Sequence, residues 1–204
     1  MAHLGLIGIG VMGAAFAQNL AENGHSVSML DRTLAKMQAV VDEGKDLKGD
    51  LIICEDAQAL VDSLPKPRAI LVLVPSGKPL DSVIDMLIPL LDKDDLIADL
   101  GNSNYKNTEA RVAKLEAVGL QFLGMGISGG AEGARKGPSI MAGGSQASWA
   151  RVKAPLQDAS AKFEGEPCCD WFGPGGSGHF IKIIHNGIEY GDMQQIAETY
   201  GIMR

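Results

Sequence analysis

The sequence predicts an α/β fold: a Rossmann-like, doubly wound and mostly parallel sheet with helices on both faces, ending in a long helix. Two observations predict it. Short apolar runs alternate with helical patterns along most of the chain. A GxGxxG turn also follows the first apolar run and opens the first helix, which is the context that a dinucleotide-binding βαβ unit requires. The six residues of this turn are Gly8, Ile9, Gly10, Val11, Met12 and Gly13.

The remaining elements follow in regular alternation. Thr33 and Asp56 stand at predicted helix starts, where a side-chain oxygen caps free backbone N–H groups. The run 68–74 is apolar after its arginine, as in a strand buried on both faces of a parallel sheet. We expect strands at 3–9, 26–30, 50–54, 68–74, 95–100, 119–125 and 139–142, helices ending near 23, 43, 64, 91, 118 and 156, a loop at 166–178, and a last helix from 179. The strand at 139–142 is compatible with either direction.

Composition excludes several classes of protein. The 204 residues are 46% hydrophobic and 21% charged, as in an ordinary globular protein. A net charge of -7 without a Lys/Arg run disfavours nucleic acid or an anionic membrane as a partner. No apolar run approaches the ~20 residues of a membrane span, and no signal peptide is recognisable. Cys54, Cys168 and Cys169 form neither a disulfide framework nor a metal motif, so we expect a cytoplasmic protein with no metal site.

The residues after the second strand bear on the choice of cofactor. Asp31 stands where a carboxylate accepts hydrogen bonds from the ribose hydroxyls of NAD and repels a 2′-phosphate. Arg32 and Thr33 are groups that hold such a phosphate. The pattern itself leaves NAD and NADP open. The glycines could also serve only to permit a turn.

Ligands of open α/β sheets bind at the carboxyl ends of the strands. Pro75 and Ser76 follow one strand there, and Asn102 follows the next, although an asparagine also commonly satisfies loop backbone. Ser128, Gly129 and Gly130 offer a hydroxyl and exposed N–H groups, either as a nest for an anionic substrate group or as a plain glycine-rich turn.

The stretch 179–190 carries the most chemistry. In a helix, Lys182, His185, Asn186 and Glu189 share one face, and an apolar stripe occupies another and should anchor the helix: Ile181, Ile184 and Ile188. Lys182 and Glu189 lie on the order of 10 Å apart along the axis, so a small molecule fits between them. A solvated surface lysine is the plainer interpretation of Lys182.

Taken together, seven segments carry a family resemblance: GIGVMG, DRT, LVLVPSG, DLGNSNY, SGGAEGARKGPSIMAGG, EPCCDWFG and GSGHFIKIIHNGIEYGDMQ. The chain resembles 6-phosphogluconate dehydrogenase, decarboxylating, over essentially its whole length. Related β-hydroxyacid dehydrogenases share the glycine turn, an SGG segment and a helix lysine. The last segment resembles the phosphogluconate enzymes in particular.

The resemblance implies oxidation of 6-phosphogluconate by NADP, with loss of CO2, to ribulose 5-phosphate in the pentose phosphate pathway and gluconate utilisation. It makes Lys182 the base and Glu189 the acid. It assigns substrate binding to Asn102, Ser128, Gly129, Gly130, His185, Asn186 and Tyr190. It assigns cofactor binding to Gly8, Ile9, Gly10, Val11, Met12, Gly13, Asp31, Arg32, Thr33, Val74, Pro75, Ser76 and Asn102.

Two departures from the family pattern matter. Family members usually carry Asn at the position of Asp31, which keeps NAD possible. The family also continues into a large all-helical domain that builds a homodimer and completes the phosphate site, whereas this sequence stops at Arg204. We therefore expect a dinucleotide-binding domain at 1–178 and the catalytic helix at 179–204, with nucleotide binding but slow or no turnover. The alternatives are a dehydrogenase of 3-hydroxyisobutyrate type and a non-catalytic dinucleotide-binding module.

Overall fold

The structure, a computed structural model, describes residues 1–204. Its helices are α1 Val11–Glu22, α2 Leu34–Glu43, α3 Ala57–Ser63, α4 Lys78–Leu87, α5 Tyr105–Glu116, α6 Gly130–Lys136, α7 Gln146–Ala159 and α8 Ser177–Met203. Its strands are β1 His3–Ile7, β2 Ser26–Leu30, β3 Leu51–Ile53, β4 Ala69–Val72, β5 Leu96–Asp99, β6 Gln121–Ser128, β7 Ser139–Gly144, β8 Lys162–Phe163, β9 Glu166–Pro167 and β10 Cys169–Trp171. No helix has the length and apolarity needed to cross a membrane.

Eight strands form one sheet in the order β3-β2-β1-β4-β5-β6-β7-β10. The six strands from β1 to β6 are parallel, which confirms the predicted doubly wound, mostly parallel sheet. β7 runs antiparallel to β6, and β10 is parallel to β7. The strand order reverses between β1 and β4. The glycine turn therefore lies at the crevice where doubly wound sheets bind their ligands.

Apolar side chains fill both faces of the sheet. Phe16, Leu20 and Trp149 belong to the larger core, which α1 and α7 cover. Leu60 and Leu80 belong to the smaller core on the other face, which α3, α4 and α5 cover. α8 lies on this second face and packs against β6, β7 and α5. Both layers predicted from the alternating pattern are thus present.

Side-chain caps start several helices. Asp56 accepts a hydrogen bond from Ala59 N at 2.7 Å, as its position predicts. Thr33 stands at the N-cap of α2, but its side chain makes no capping hydrogen bond. Its backbone N–H instead donates to Asp31 Oδ1 at 2.9 Å. The turn after β2 is therefore organised by the aspartate.

Three expectations about local structure are wrong. Residues 130–136 form the short helix α6, because Ala134 is buried and Asn19 Nδ2 donates to its carbonyl oxygen at 2.9 Å. The stretch 166–178 contains β10, which pairs with β7 and buries Cys169. Two of the three isoleucines of the apolar stripe of α8 are exposed, Ile184 to 44% and Ile188 to 63%, whereas Ile181 is half-buried. Of the polar stripe, Lys182 is buried against β6, His185 and Asn186 are half-buried, and Glu189 is exposed.

Candidate active site

The glycine turn connects β1 to α1. Gly8 has a φ of +98°, in the left-handed region that favours glycine. A Cβ on Gly13 would collide with the carbonyl oxygen of Gly8, so this glycine permits close packing of α1 against the turn. A Cβ on Gly10, by contrast, would meet no protein atom within 4 Å. The packing of the protein therefore does not require a glycine at position 10. A ligand that comes close to the backbone there would require one, because a side chain would stand in its way.

The carboxylate of Asp31 is directed into this turn. Its Oδ2 accepts a hydrogen bond from Ile9 N at 2.9 Å, and its Oδ1 accepts one from Thr33 N at the same distance. Lys36 Nζ lies 3.8 Å from Oδ1. The side chains of Arg32 and Thr33 are exposed beside it. One ammonium group therefore lies near this carboxylate at the end of β2, and an exposed arginine and threonine follow it directly in the chain.

The ends of β4 and β5 contribute loops to the same edge of the sheet. Val74 is half-buried, whereas Pro75 and Ser76 are exposed. Asn102 is also exposed. Its loop is held by Asp99, which accepts hydrogen bonds from Gly101 N at 2.9 Å and from Ser103 Oγ at 2.5 Å.

The end of β6 meets α8. Ser128 Oγ lies 3.1 Å from His185 Nε2, so a hydrogen bond joins the strand to the helix. The other ring nitrogen, Nδ1, lies 3.1 Å from Asn186 Oδ1 and 3.6 Å from Glu189 Oε2. The structure thus brings together four of the residues that the sequence analysis selected.

Gly129 and Gly130 follow Ser128 directly. Their φ values are +130° and +62°, and both residues are exposed at the start of α6. Tyr190 lies further along α8, where it is 68% exposed. No protein hydrogen bond engages the Tyr190 hydroxyl, so the structure does not draw this residue into the Ser128–His185 contact.

Lys182 is the buried member of the polar stripe. It is only 6% exposed, and burial lowers the pKa of its ammonium group below the ordinary value, an effect that Glu189 partly opposes. The stem of Lys182 lies over Gly126, where a Cβ would stand 2.6 Å from its Cγ. The solvated-surface interpretation of Lys182 is therefore wrong. A lysine with a lowered pKa can serve as a base near neutrality.

Three residues of this region were not selected from the sequence. Lys36 lies beside Asp31, and a basic residue in the first turn after DRT is a signal for it. His179 and Asp99 form a buried pair under the site, with His179 Nε2 3.8 Å from Asp99 Oδ2. No spacing rule connects residues so far apart along the chain.

Comparison with known proteins identifies the family. A family model described as the NAD binding domain of 6-phosphogluconate dehydrogenase matches residues 3–173. The chain belongs to the 6-phosphogluconate dehydrogenase family. A second model, for the C-terminal domain of 6-phosphogluconate dehydrogenase, matches residues 178–204. The resemblance noted in the sequence is thereby confirmed.

Curated 6-phosphogluconate dehydrogenases, decarboxylating, from Candida albicans, Synechococcus elongatus and Drosophila melanogaster are 45%, 47% and 46% identical to the chain. The matches cover 98%, 99% and 100% of this chain. They cover 39%, 43% and 42% of the relatives. The chain therefore spans less than half the length of these family members.

Solved structures agree with the family assignment. Plasmodium falciparum 6-phosphogluconate dehydrogenase, described with its cofactor NADP+ and its substrate 6-phosphogluconate, superposes with a TM-score of 0.92 at 37% identity. The match covers 98% of this chain and 43% of that one. A 3-hydroxyisobutyrate dehydrogenase from Mycobacterium tuberculosis gives a TM-score of 0.81 at 21% identity, over 98% of this chain and 64% of that one. That likeness shows a shared fold alone.

Proposed function

We propose that this chain provides the nucleotide site and the catalytic helix of an NADP-dependent 6-phosphogluconate dehydrogenase, decarboxylating. Three findings support the proposal: the family to which the chain belongs, the glycine turn at the sheet crossover, and the packing of Lys182 and His185 of α8 against β6. The single observation that carries it is the burial of Lys182. Lys182 is only 6% exposed, its pKa is lowered, and no carboxylate forms a hydrogen bond with its amine. These are the properties of a base.

The residues present fit a dinucleotide. No protein atom lies within 4 Å of a Cβ on Gly10, so a ligand can approach the backbone closely at this residue. The N-terminus of α1 has no side-chain cap and offers free N–H groups to a pyrophosphate. Arg32, Thr33 and Lys36 supply donors for a 2′-phosphate, which favours NADP, while Asp31 keeps NAD acceptable. The proposed cofactor set is Gly8, Ile9, Gly10, Val11, Met12, Gly13, Asp31, Arg32, Thr33, Val74, Pro75, Ser76 and Asn102. The bound nucleotide supplies the hydride acceptor.

Lys182 performs the first proton transfer. Its neutral amine accepts the proton of the substrate's 3-hydroxyl while the hydrogen on C3 leaves as hydride, so that C3 becomes a carbonyl. The resulting β-keto acid loses its carboxyl group as CO2, because the electron pair of the breaking bond moves into the adjacent carbonyl. The burial of Lys182 favours the uncharged amine that this step requires.

Glu189 performs the second proton transfer. It donates a proton to the carbon that lost CO2, which converts the enediolate left by decarboxylation to ribulose 5-phosphate. Glu189 Oε2 lies 3.6 Å from His185 Nδ1, and His185 is hydrogen bonded to Ser128, so the acid is oriented from the strand. The proposed substrate contacts are Asn102, Ser128, Gly129, Gly130, His185, Asn186 and Tyr190.

The wider assignments are proposals as well. We divide the chain into a dinucleotide-binding domain at 1–178 and a catalytic helix at 179–204, since α8 is largely exposed beyond its first turns. The whole enzyme is proposed to be a cytoplasmic homodimer. The three free cysteines are compatible with a reducing compartment.

Calorimetric titration tests the proposed function. NADP and NAD are each titrated into the chain, and 6-phosphogluconate or 3-hydroxyisobutyrate is then titrated into each complex. We expect NADP to bind more tightly than NAD, and 6-phosphogluconate to bind the NADP complex in preference to 3-hydroxyisobutyrate. Gly10→Ala serves as the control that weakens nucleotide binding. Absence of nucleotide binding, or preference for 3-hydroxyisobutyrate, contradicts the proposal.

A further inference from the structure

His179 is fully buried in the first turn of α8, three residues before Lys182. Nothing in the proposed reaction uses it. Its ring lies over Gly124 on β6, where a Cβ would stand 2.7 Å from Nδ1 and 3.1 Å from Cε1. The strand therefore lacks a side chain at the position that the imidazole occupies.

Both ring nitrogens face polar groups on other elements. Nδ1 lies 2.7 Å from Thr108 Oγ1 on α5. Nε2 has no hydrogen-bond partner and lies 3.8 Å from Asp99 Oδ2 at the end of β5. Thr108 Oγ1 also lies 3.3 Å from Asn104 O, but its contact with Nδ1 is the shorter one. A lone pair on Nε2 would face the carboxylate unfavourably, so we place the proton on Nε2 and let the Thr108 hydroxyl donate to Nδ1. Burial lowers the pKa of His179, which is consistent with this neutral tautomer.

Asp99 connects the histidine to the loop of Asn102. The two residues that flank Asn102 are both bound to this carboxylate, Gly101 through its N–H and Ser103 through its hydroxyl. Arg111 Nη1 lies 3.4 Å from Ser103 Oγ, and Arg111 Nε donates to Asp81 at 2.8 Å. Hydrogen bonds thus hold the Asn102 loop to Asp99, and His179, on the helix that carries Lys182, lies 3.8 Å from the same carboxylate.

We propose that His179 is a positioning residue that fixes the helix of Lys182 relative to the loop of Asn102. The inference rests on the proposed function, which places these two residues on either side of one substrate. An apolar residue would fill the same space without a buried nitrogen lacking a partner, and such a nitrogen is costly to keep. The imidazole is suited to this position because its Nδ1 contacts Thr108 on α5 and its Nε2 faces Asp99 on β5.

Nuclear magnetic resonance of the ligand-free chain tests the proposal. The pKa of Lys182 is measured from its side-chain Cε signal, and the conformation of the Asn102 loop is followed by the Asn102 amide signals. His179→Leu removes both polar contacts, and Thr108→Val keeps the ring but removes its donor. We expect both variants to raise the Lys182 pKa toward the ordinary lysine value and to shift the Asn102 signals, with the larger effect in His179→Leu.

A matched control separates positioning from general stability. His25 is also buried, and its ring is hydrogen bonded to Ala2 N and Asp158. We expect His25→Leu to lower the melting temperature without changing the Lys182 pKa or the Asn102 signals. If His179→Leu does not fold, Thr108→Val decides the question.

Two results overturn the proposal. One is that the folded His179→Leu or Thr108→Val variant has the same Lys182 pKa and the same Asn102 signals as the wild type. The other is an equal change in the His25 control. Because neither readout needs a ligand, failure of the wild type to bind nucleotide counts against the proposed function and is distinguishable from failure of this inference.

Discussion

Gly126 on β6 leaves the space that the side-chain stem of Lys182 fills, since a Cβ there would lie 2.6 Å from Cγ and 3.0 Å from Cδ of the lysine. The buried amine therefore depends on a missing side chain in the strand below it. Gly124 and His179 repeat the relationship on the same strand and helix. α8 can lie directly on the sheet because these strand positions are glycine.

Gly126→Ala tests this packing. The added methyl group displaces the stem of Lys182, so we expect a loss of roughly 1–3 kcal/mol in the free energy of unfolding, as for overpacked cores. We also expect the Lys182 pKa to rise as water reaches the amine. Denaturant unfolding and nuclear magnetic resonance measure the two effects. Gly187→Ala is the control, because a Cβ there meets no atom within 4 Å; an equal pKa change in it contradicts the account.

Gly10→Ala and Gly13→Ala separate binding from folding. Alanine at 13 places its Cβ against the carbonyl oxygen of Gly8, so we expect a destabilisation on the order of 3 kcal/mol. Alanine at 10 meets no protein atom, so the melting temperature should stay near that of the wild type. Nucleotide affinity should nevertheless fall by about tenfold or more, equivalent to about 1.4 kcal/mol. Calorimetry and thermal unfolding check the pair, and unchanged affinity in Gly10→Ala contradicts the assignment.

Asp31→Asn tests cofactor selectivity. Removing one negative charge near a 2′-phosphate is worth about 1 kcal/mol or more in a site open to water, so the ratio of NADP to NAD affinity should rise roughly fivefold or more. The asparagine retains one acceptor for Ile9 N or Thr33 N, which limits the loss of stability. Titration of both nucleotides measures the ratio. Asp62→Asn, on the exposed side of α3, should leave it unchanged, and a fall in the ratio for Asp31→Asn refutes the prediction.

Lys182→Met should make the protein more stable at neutral pH. Burial lowers the folded-state pKa of Lys182 below its unfolded value, so between these two values the unfolded chain binds more protons and stability rises with pH. At lower pH the folded protein must hold a buried charge, which methionine avoids. The advantage of the variant should be greatest below the folded-state pKa and shrink toward the unfolded value of about 10.4.

Thermal unfolding across this pH range measures the difference between wild type and Lys182→Met. Lys153→Met on α7 is the matched control, because Lys153 is exposed, and its difference from wild type should not change with pH in this way. A Lys182→Met protein that is less stable than the wild type at neutral pH would count against a desolvated amine.

Local patterns predicted much of the fold. β2 spans 26–30 as expected, and Asp56 caps α3 through its side chain. The parallel sheet followed from alternating strands and helices, because such connections lead to neighbouring parallel strands. The glycine turn and the polar face of α8 were also identified from spacing alone, because their chemistry lies in residues adjacent along the chain or along one helix.

The elements that were not predicted depend on distant contacts. α6 begins at Gly130, directly after a glycine N-cap, and is held by Asn19, whose amide donates to carbonyl oxygens of Ala134 and Ala159. β10 exists because it pairs with β7, and Trp171 Nε1 donates to Gly144 O at 2.9 Å.

The orientation of α8 was predicted with the wrong face inward. An apolar stripe normally faces the core. Here Gly124 and Gly126 on β6 leave the space that His179 and Lys182 fill, and the sequence of the helix alone does not reveal this.

The most direct test of the central claim follows the Lys182 side-chain signal while 6-phosphogluconate is added to the chain saturated with NADP. If Lys182 is the base beside a shared nucleotide and sugar-acid site, its signal shifts saturably, and the shift is smaller in Gly10→Ala at the same concentrations of NADP and 6-phosphogluconate. A Lys182 signal that responds to neither NADP nor 6-phosphogluconate contradicts the account.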